Sequence, residues 1–455
     1  MNIFQINHSD LEDRFDPKYI LYLQNVHDFK FEVFPLRKFL TEKLQYGTAE
    51  IGISRMNEQQ PRYIRITDIN DFGELDNSLG TTAENCSAEY FLHKNDLLFA
   101  RSGATVGKTY LHKNLSYPAF FAGYMIRARV NESCLLPDYL FAYTQTSFYK
   151  KWVDAIQRTA AQPNINAEEY ASLPIPLPPL SVQQTIVDLY NTNAQNQRKR
   201  KLEESQKLLV GLNDYLLSEL GIKFPKKDNS LSKRIFVTKF SELTSNRFDP
   251  KYILYLKDIH NFKYDIFPLK RFLIEKPQYG TAEIGIPRIK EQQPRYIRIT
   301  DINDFGELDD SLGATAENCS DEYFLYENDL LFARSGATVG KTYLHKHLSY
   351  PAFFAGYMIR VRLDESTLLP DYLFAYTQTS FYKNWVDAIQ RAAAQPNINA
   401  EEYASLPIPL PPIEKQREIA KHIQEIRNHA KQLENEADMI LQEAKQKVER
   451  MILGE

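Results

Sequence analysis

Two hydrophobic rhythms alternate along this chain and divide it before any single residue is weighed. Tyr63-Ile-Arg-Ile-Thr-Asp-Ile69 and Asp96-Leu-Leu-Phe-Ala-Arg101 alternate or cluster apolar residues beside turn formers, the pattern of strands. Leu136-Pro-Asp-Tyr-Leu-Phe-Ala-Tyr-Thr-Gln-Thr-Ser-Phe-Tyr149 predicts a capped amphipathic helix instead. Both rhythms return. Arg14-Phe-Asp-Pro-Lys-Tyr-Ile-Leu-Tyr-Leu23 recurs as Arg247 to Leu256, and the same offset of 233 holds without a gap through Pro179 and Pro412. About 26 of about 166 paired positions differ, many by Lys/Arg, Asp/Asn or Val/Ile exchange, so one mixed α and β globule is present twice. A solenoid would repeat at a shorter period.

Each globule closes on a proline-rich stop, Leu173-Pro-Ile-Pro-Leu-Pro-Pro179 and Leu406-Pro-Ile-Pro-Leu-Pro-Pro412, and a long polar helix follows each stop. The second helix carries Ile419, Ile423, Ile426, Ala430, Leu433, Ala437, Ile440 and Ala444 at alternating steps of four and three, a sustained heptad seam. In the first, Ile186 and Leu189 open a seam and Leu209, Leu212, Leu216 and Leu220 close it, with Asn193, Asn196 and Arg200 between. Helix one ends a short linker before the second globule, and helix two starts from that globule. Paired seams therefore require an antiparallel coiled coil with a globule at either end. The expected architecture is α+β and pseudo-twofold symmetric. It comprises a first globular domain (1–179), a central helix (180–222), a linker (223–234), a second globular domain (235–412) and a C-terminal helix (413–455).

Composition narrows the function classes. With 43% hydrophobic and 25% charged residues among 455, the chain has the balance of a folded protein with room for more than one core. Its start, Met1-Asn2-Ile3-Phe4-Gln5-Ile6-Asn7-His8, lacks the basic and apolar regions of a signal peptide, and no later stretch approaches a membrane span; a cytoplasmic protein without membrane contact is expected. Three cysteines without metal-type spacing exclude a disulfide framework and a zinc site. A formal net charge of −4 argues against holding nucleic acid by bulk electrostatics, so any such surface must be local or shared with a partner.

The order globule, helix, globule, helix is similar to the specificity subunits of type I restriction-modification systems, over essentially the whole chain. The local marks also match. Each copy has a Gly-Thr-Ala turn (Gly47, Gly280), then Tyr-Ile-Arg-Ile-Thr-Asp-Ile, then Asn-Asp-Leu-Leu-Phe-Ala-Arg-Ser-Gly-Ala-Thr-Val-Gly-Lys (Asn95 to Lys108; Asn328 to Lys341). Gln-Pro-Asn-Ile-Asn follows (Gln162 to Asn166; Gln395 to Asn399), and Gln183 and Gln416 stand where the helices start. The resemblance implies that each globule is a target recognition domain reading one half of a split double-stranded DNA sequence. It also implies that the helices set the spacing and dock two methyltransferase subunits, with restriction motor-nuclease subunits joining them. A helix of about 40 residues spans roughly 60 Å, somewhat under two turns of DNA. In that family the two domains usually differ and the target is asymmetric. Here they are nearly the same, so equal readout and a palindromic target are expected.

Within this frame the candidate DNA contacts come in pairs. Arg101, Ser102, Thr105 and Lys108, with Arg334, Ser335, Thr338 and Lys341, form a glycine-bearing turn that resembles a phosphate loop. Gly103 and Gly107 enclose three residues where a Walker loop needs four, so a nucleotide site is rejected. The functional reading is phosphate or guanine contact; the structural one is a turn with solvated cations. Gln162 and Asn164, with Gln395 and Asn397, carry amides able to pair with adenine, and Arg158 and Arg391 precede them; capping a turn is the alternative. Arg62, Arg65 and Thr67, with Arg295, Arg298 and Thr300, alternate along an expected strand and would turn cations toward a backbone, or simply face solvent. Tyr46 and Thr48, with Tyr279 and Thr281, flank the glycine turn, where the tyrosines either lean on a base or pack in the core. Phe120, Phe121, Phe353 and Phe354 read as core. The run Arg198-Lys-Arg-Lys201 either meets spacer phosphates or is a solvated helix face.

No Asn-Pro-Pro-Tyr or Asp-Pro-Pro-Tyr motif, glycine-rich cofactor turn, nucleophile elbow or metal-type histidine spacing occurs, so neither a catalytic centre nor a cofactor is expected. The rival reading is a non-catalytic protein-interaction scaffold with duplicated binding domains on a coiled-coil spacer.

Overall fold

The computed structural model describes residues 29–157, 163–223, 262–390 and 396–454, except Asn77, Asn114, Asp310 and Ala337, together with Tyr19, Tyr22, Tyr252, Ile253 and Tyr255. The expected linker, beyond Lys223, and the candidates Arg158, Gln162, Arg391 and Gln395 lie outside the described residues. The chain divides into two compact units, Met1–Leu202 with Glu434–Glu455, and Glu203–Leu433.

Among the described residues of the first unit, ten short strands are laid down as β1 (Val33–Pro35), β2 (Gln45–Tyr46), β3 (Ile53–Ser54), β4 (Arg62–Ile64), β5 (Thr81–Thr82), β6 (Leu97–Ala100), β7 (Thr109–Leu111), β8 (Ala119–Phe121), β9 (Met125–Ala128) and β10 (Pro174–Pro176). They form an antiparallel sheet β2-β9-β6-β7, a mixed sheet β3-β5-β4-β8 in which β4 and β8 run parallel, and the small pair β1-β10. The period-two alternation of β6 makes the first sheet a middle layer. Leu97 and Phe99 turn into a large core with the helices, whereas Leu98 joins Tyr110, Met125, Phe120 and Phe121 in a smaller core against the second sheet. Phe120 and Phe121 are fully buried there, as are Phe353 and Phe354 in the second unit.

Two sequence expectations change locally. The strand expected to run to Ile69 stops at Ile64, because the Asp68 carboxylate accepts the Arg65 backbone N–H at 2.9 Å and closes a 3₁₀ turn over Ile66–Asp68. The single helix expected up to Tyr149 is two, Pro137–Thr144 and Ser147–Ile156. Thr144 and Thr146 hydroxyls bond back to the Phe141 and Tyr143 carbonyls, and Thr146 then caps the second helix; such local bonding competes with helix continuation.

The central helix runs Leu180–Val187, loosens into a π-helical stretch Asp188–Gln195 and resumes as Asn196–Leu220, while the C-terminal helix is continuous over Ile413–Leu453. Each unit holds an antiparallel crossing of the two. In the first, Lys201 pairs with Glu436, Arg198 lies 3.6 Å from Asp438, and Leu441, Ala444, Val448 and Ile452 enter the core that also takes Ile186 and Tyr190. In the second, Lys415 meets Glu219 at 2.8 Å, the Tyr215 ring lies 4.4 Å from His422, and Leu216 and Leu220 pack with Ile419 and Ile423. Among the described residues, no helix is long and apolar enough to cross a membrane.

Candidate nucleic-acid interface

Four loops of the first unit meet at the β2 end of the middle sheet. Gly47 fits there because a Cβ would lie 2.3 Å from the Ala122 carbonyl oxygen, which leaves room for no other residue. The Thr48 carbonyl accepts from Gly123 N–H at 2.7 Å, and the Arg101 N–H donates to the Tyr124 carbonyl at 2.9 Å. On the other side, Ser102 bridges Asn164, Gly103 N–H donates to Pro163 at 3.0 Å, and Ile165 N–H donates to Arg101 at 2.8 Å. The glycine loop, the Gly-Thr-Ala turn, the Gly123-Tyr124 corner and the Pro163-Asn164 segment are thus one hydrogen-bonded surface. Below it the buried Tyr170 hydroxyl donates to the Ala100 carbonyl at 2.6 Å, and Asn166 caps the helix Ala167–Ala171.

On this surface the Arg101 guanidinium stacks over the Tyr46 ring at 4.7 Å, and Arg334 over Tyr279 at the same distance. Besides the ring, the Arg101 guanidinium donates to the Gly123 carbonyl at 3.4 Å, and no carboxylate among the described residues pairs with it. The Tyr46 hydroxyl accepts the Ala167 N–H at 3.0 Å while the ring stays 40% exposed. Tyr46 is therefore a surface ring, held by its hydroxyl and covered by a cation, and is not packed in the core. Thr105 ends the short turn Gly103–Thr105 and is half-buried, as is Thr338 in the second unit.

Other candidates are committed elsewhere. Arg62 is 1% exposed, not a cation on a strand face: β4 lies between β5 and β8, and its guanidinium is held by Asp76, by the Asp76 and Ser78 carbonyls and by Tyr117. Arg295 repeats this with Asp309, Ser311 and Tyr350. Thr48 and Thr281 are buried, each hydroxyl accepting a backbone N–H two residues on. Lys108 reaches the Ile69 carbonyl and Asp71, at 3.2 and 2.8 Å, and Lys341 repeats the contacts with Ile302 and Asp304; these lysines brace a neighbouring loop where phosphate contact was expected. The Lys108 ammonium also holds the Asp71 carboxyl below its ordinary range. Arg65 and Arg298 are about two-fifths exposed, each paired with the Asp of its own turn at 2.9 and 2.8 Å, with Thr67 and Thr300 exposed beside them. In the basic run, Arg198 is buried against Glu74 at 2.7 Å and the Phe72 ring at 4.0 Å, so neither spacer phosphate nor solvent is what it meets.

Two kinds of residue went unnoticed in the sequence. Tyr124 and Tyr357 are 65% and 66% exposed at the corner that abuts Arg101 and Arg334. The signal available was the Ala-Gly-Tyr step after a buried Phe-Phe pair. Ile51 and Ile284, two residues beyond the Gly-Thr-Ala turn, are each 82% exposed. Burial raises the Tyr63 phenol above its ordinary value, with Glu50 adding to the shift and Arg65 opposing it, so these charges surround the hydroxyl that donates to the Thr48 and Glu50 carbonyls.

A family model for the type I restriction modification DNA specificity domain matches residues 32–204 and 256–439. The Type I restriction enzyme EcoKI specificity subunit of Escherichia coli (strain K12) is 24% identical over 345 residues, 73% of this chain and 67% of that protein. Among solved structures, a chain described under the structural basis of complex assembly and conformational transition of the type I R-M system is 14% identical, covering 93% of this chain and 96% of that one at a TM-score of 0.48. A type-I restriction-modification S subunit from M. genitalium is 12% identical, with 94% and 97% covered and a TM-score of 0.43.

Proposed function

The chain belongs to the family of type I restriction-modification DNA specificity domains, and from that we propose that it is the non-catalytic, DNA-reading subunit that addresses methyltransferase and restriction subunits to a bipartite, palindromic target. Residues 1–179 and 235–412 are the two target recognition domains, 180–222 and 413–455 the helices that space them and receive the partner subunits. Work takes place in the cytoplasm, on double-stranded DNA.

The observation that carries the reading is the duplicated, uncommitted arginine. Arg101 and Arg334 each stand on an exposed tyrosine at 4.7 Å, at the joint of four loops, with no carboxylate partner among the described residues. The arginines buried in the sheet are, by contrast, tied to Asp or Glu. A guanidinium left open on a flat aromatic platform suits a phosphate or the guanine O6 and N7 edge. Palindromy follows from sameness. Each unit consists of a globule, the beginning of the helix that leaves it and the end of the other helix. Exchanging the halves of the chain maps this construction onto itself, the relation an inverted repeat in DNA requires.

The test is single-molecule sequencing of methylated adenines in cells that express the chain with its neighbouring methyltransferase gene. A split palindromic motif that disappears on deletion of this gene is the expected result. An asymmetric split motif would remove the symmetry and keep the role. Absence of gene-dependent methylation beside an active methyltransferase would remove both and favour the scaffold.

A further inference from the structure

Large apolar side chains exposed to solvent are distributed unequally over each unit. Tyr46, Ile51, Ile53, Met56, Leu79 and Tyr124 are all at least 40% exposed, and the residues 233 positions on are exposed in the second unit as well. The remaining exposed apolar positions, such as Leu180 and Met439 in one unit or Val210 and Ile274 in the other, have no exposed apolar counterpart. The shared set is one neighbourhood: β3 and β5 are partners, the Arg55 side chain ties the Leu79 and Gln60 carbonyls together, and Thr48 links the turn to the Tyr124 corner. An apolar patch kept in both copies and bordering the Tyr46–Arg101 stack is an interaction surface.

Its centre is built to hold Ile51 outward. The Glu50 carbonyl accepts from the Tyr63 hydroxyl at 3.0 Å, and Gly52 lies against the Tyr63 ring, where an added Cβ would come within 3.3 Å of ring carbon. Backbone fixed on either side leaves the Ile51 side chain 82% exposed, and Ile284 likewise between Glu283 and Gly285. The chemistry at the rim selects the occupant. The cation there, Arg101, is open and planar, whereas the groups next to Ile51 are a carboxylate and an apolar neighbour. A carboxylate repels phosphate but accepts from the cytosine amino group, so the Ile51 segment suits base edges in a groove while Arg101 holds the rim. Resting on the DNA-reading function above, we propose that Ile51 and Ile284 are specificity-determining residues that meet thymine methyl groups in the major groove of the two half-sites.

The experiment uses the full chain, purified with its methyltransferase subunits, on duplexes carrying the methylated motif found by sequencing. Each thymine of the motif is replaced in turn by uracil, which removes only the methyl group. For the wild type, uracil at one thymine per half-site is expected to weaken binding by about fourfold, the scale of one buried methyl group. For Ile51→Ala with Ile284→Ala, binding to the thymine duplex falls by about sixteenfold, the product of the losses at the two half-sites, and uracil at either thymine causes no further loss. Melting temperature remains that of the wild type, since the side chains are exposed. Uracil losses of equal size in wild type and variant would overturn the assignment, as would a variant that binds the thymine duplex normally; the patch would then belong to a protein partner. If the wild type fails to prefer its motif over scrambled duplex, the DNA-reading function itself fails first, which separates the two.

Discussion

Arg62 and Arg101 show how one residue type takes opposite roles in this chain. Both follow an apolar neighbour and precede a small or apolar one, and sequence offered both to DNA. What separates them is a carboxylate: Asp76 returns to Arg62 from fourteen residues away, helped by Gly80, where a Cβ would lie 2.9 Å from the guanidinium Nε. That pairing depends on the loop's course, which single-sequence periodicity does not report. His112 is a second buried polar group with a measurable consequence. Its ring lies beside the Tyr110 hydroxyl at 3.2 Å, and desolvation lowers its pKa to about 4, with Asp96 opposing; His345 does the same in the second unit. The folded value lies below the unfolded one of about 6.5, so as pH falls the unfolded chain takes up the proton first. The stability from these histidines is complete above about pH 6.5, is lost progressively down to about pH 4 and loses nothing further below that. Each contributes roughly 3 kcal/mol across that window. Urea midpoints measured from pH 7 to 4 are expected to fall more steeply for the wild type than for His112→Gln with His345→Gln, and parallel curves would contradict the burial argument.

At the scale of elements, the sequence was read most accurately where periodicity is long and least accurately where a side chain ends an element. The heptad seam of the C-terminal helix is present at Ile419, Ile423, Ala430, Leu433, Ala437 and Ala444, all buried. Between Ala437 and Ala444, however, Leu441 is the fully buried residue and Ile440 sits at the edge, and the seam continues through Val448 and Ile452. Two successive steps of four, from Leu433 through Ala437 to Leu441, depart from the heptad rhythm as a stutter does, and from Leu441 onward the seam residues Leu441, Ala444, Val448 and Ile452 belong to the core of the first unit. A choice between adjacent Ile440 and Leu441 turns on that packing, which composition does not reveal. The start of each helix is fixed differently. Gln183 is fully buried; its side chain accepts the Leu136 N–H at 2.8 Å and donates to the Cys134 and Pro178 carbonyls at 2.9 Å. Gln416 repeats this with Leu369, Thr367 and Pro411. Gln183→Leu keeps helix propensity and adds apolar volume, yet strands three backbone groups at the junction of globule and helix. A loss of about 2–4 kcal/mol is expected, seen as a lowered denaturation midpoint, and an unchanged midpoint would show that water or a shifted backbone satisfies those groups equally well.

For the whole molecule the duplication turns function into arithmetic. Sequence made the two copies legible through a constant offset, and in each copy the same arginine stands on the same tyrosine at the same distance. None of the differing positions in the described parts of the two domains falls in the four loops that carry this stack, whereas differences do fall at His93 and Tyr326 or Lys94 and Glu327, away from it. On the palindromic target proposed above, two surfaces with equal chemistry would face equal half-sites and contribute equally to binding. Arg101→Ala and Arg334→Ala, made singly in the full chain with its methyltransferase, are therefore expected to weaken motif binding by the same factor. That factor is about tenfold for one lost arginine contact of roughly 1–3 kcal/mol. Melting temperatures should be unchanged because neither guanidinium closes an ion pair with a described residue. The double variant should lose about the product of the two factors, since sites in separate units share no partner. Unequal single losses on a palindromic duplex would mean that the halves, alike in sequence and local geometry, meet DNA differently. The arginines would then report the asymmetry of the assembled complex and not the address written in the chain.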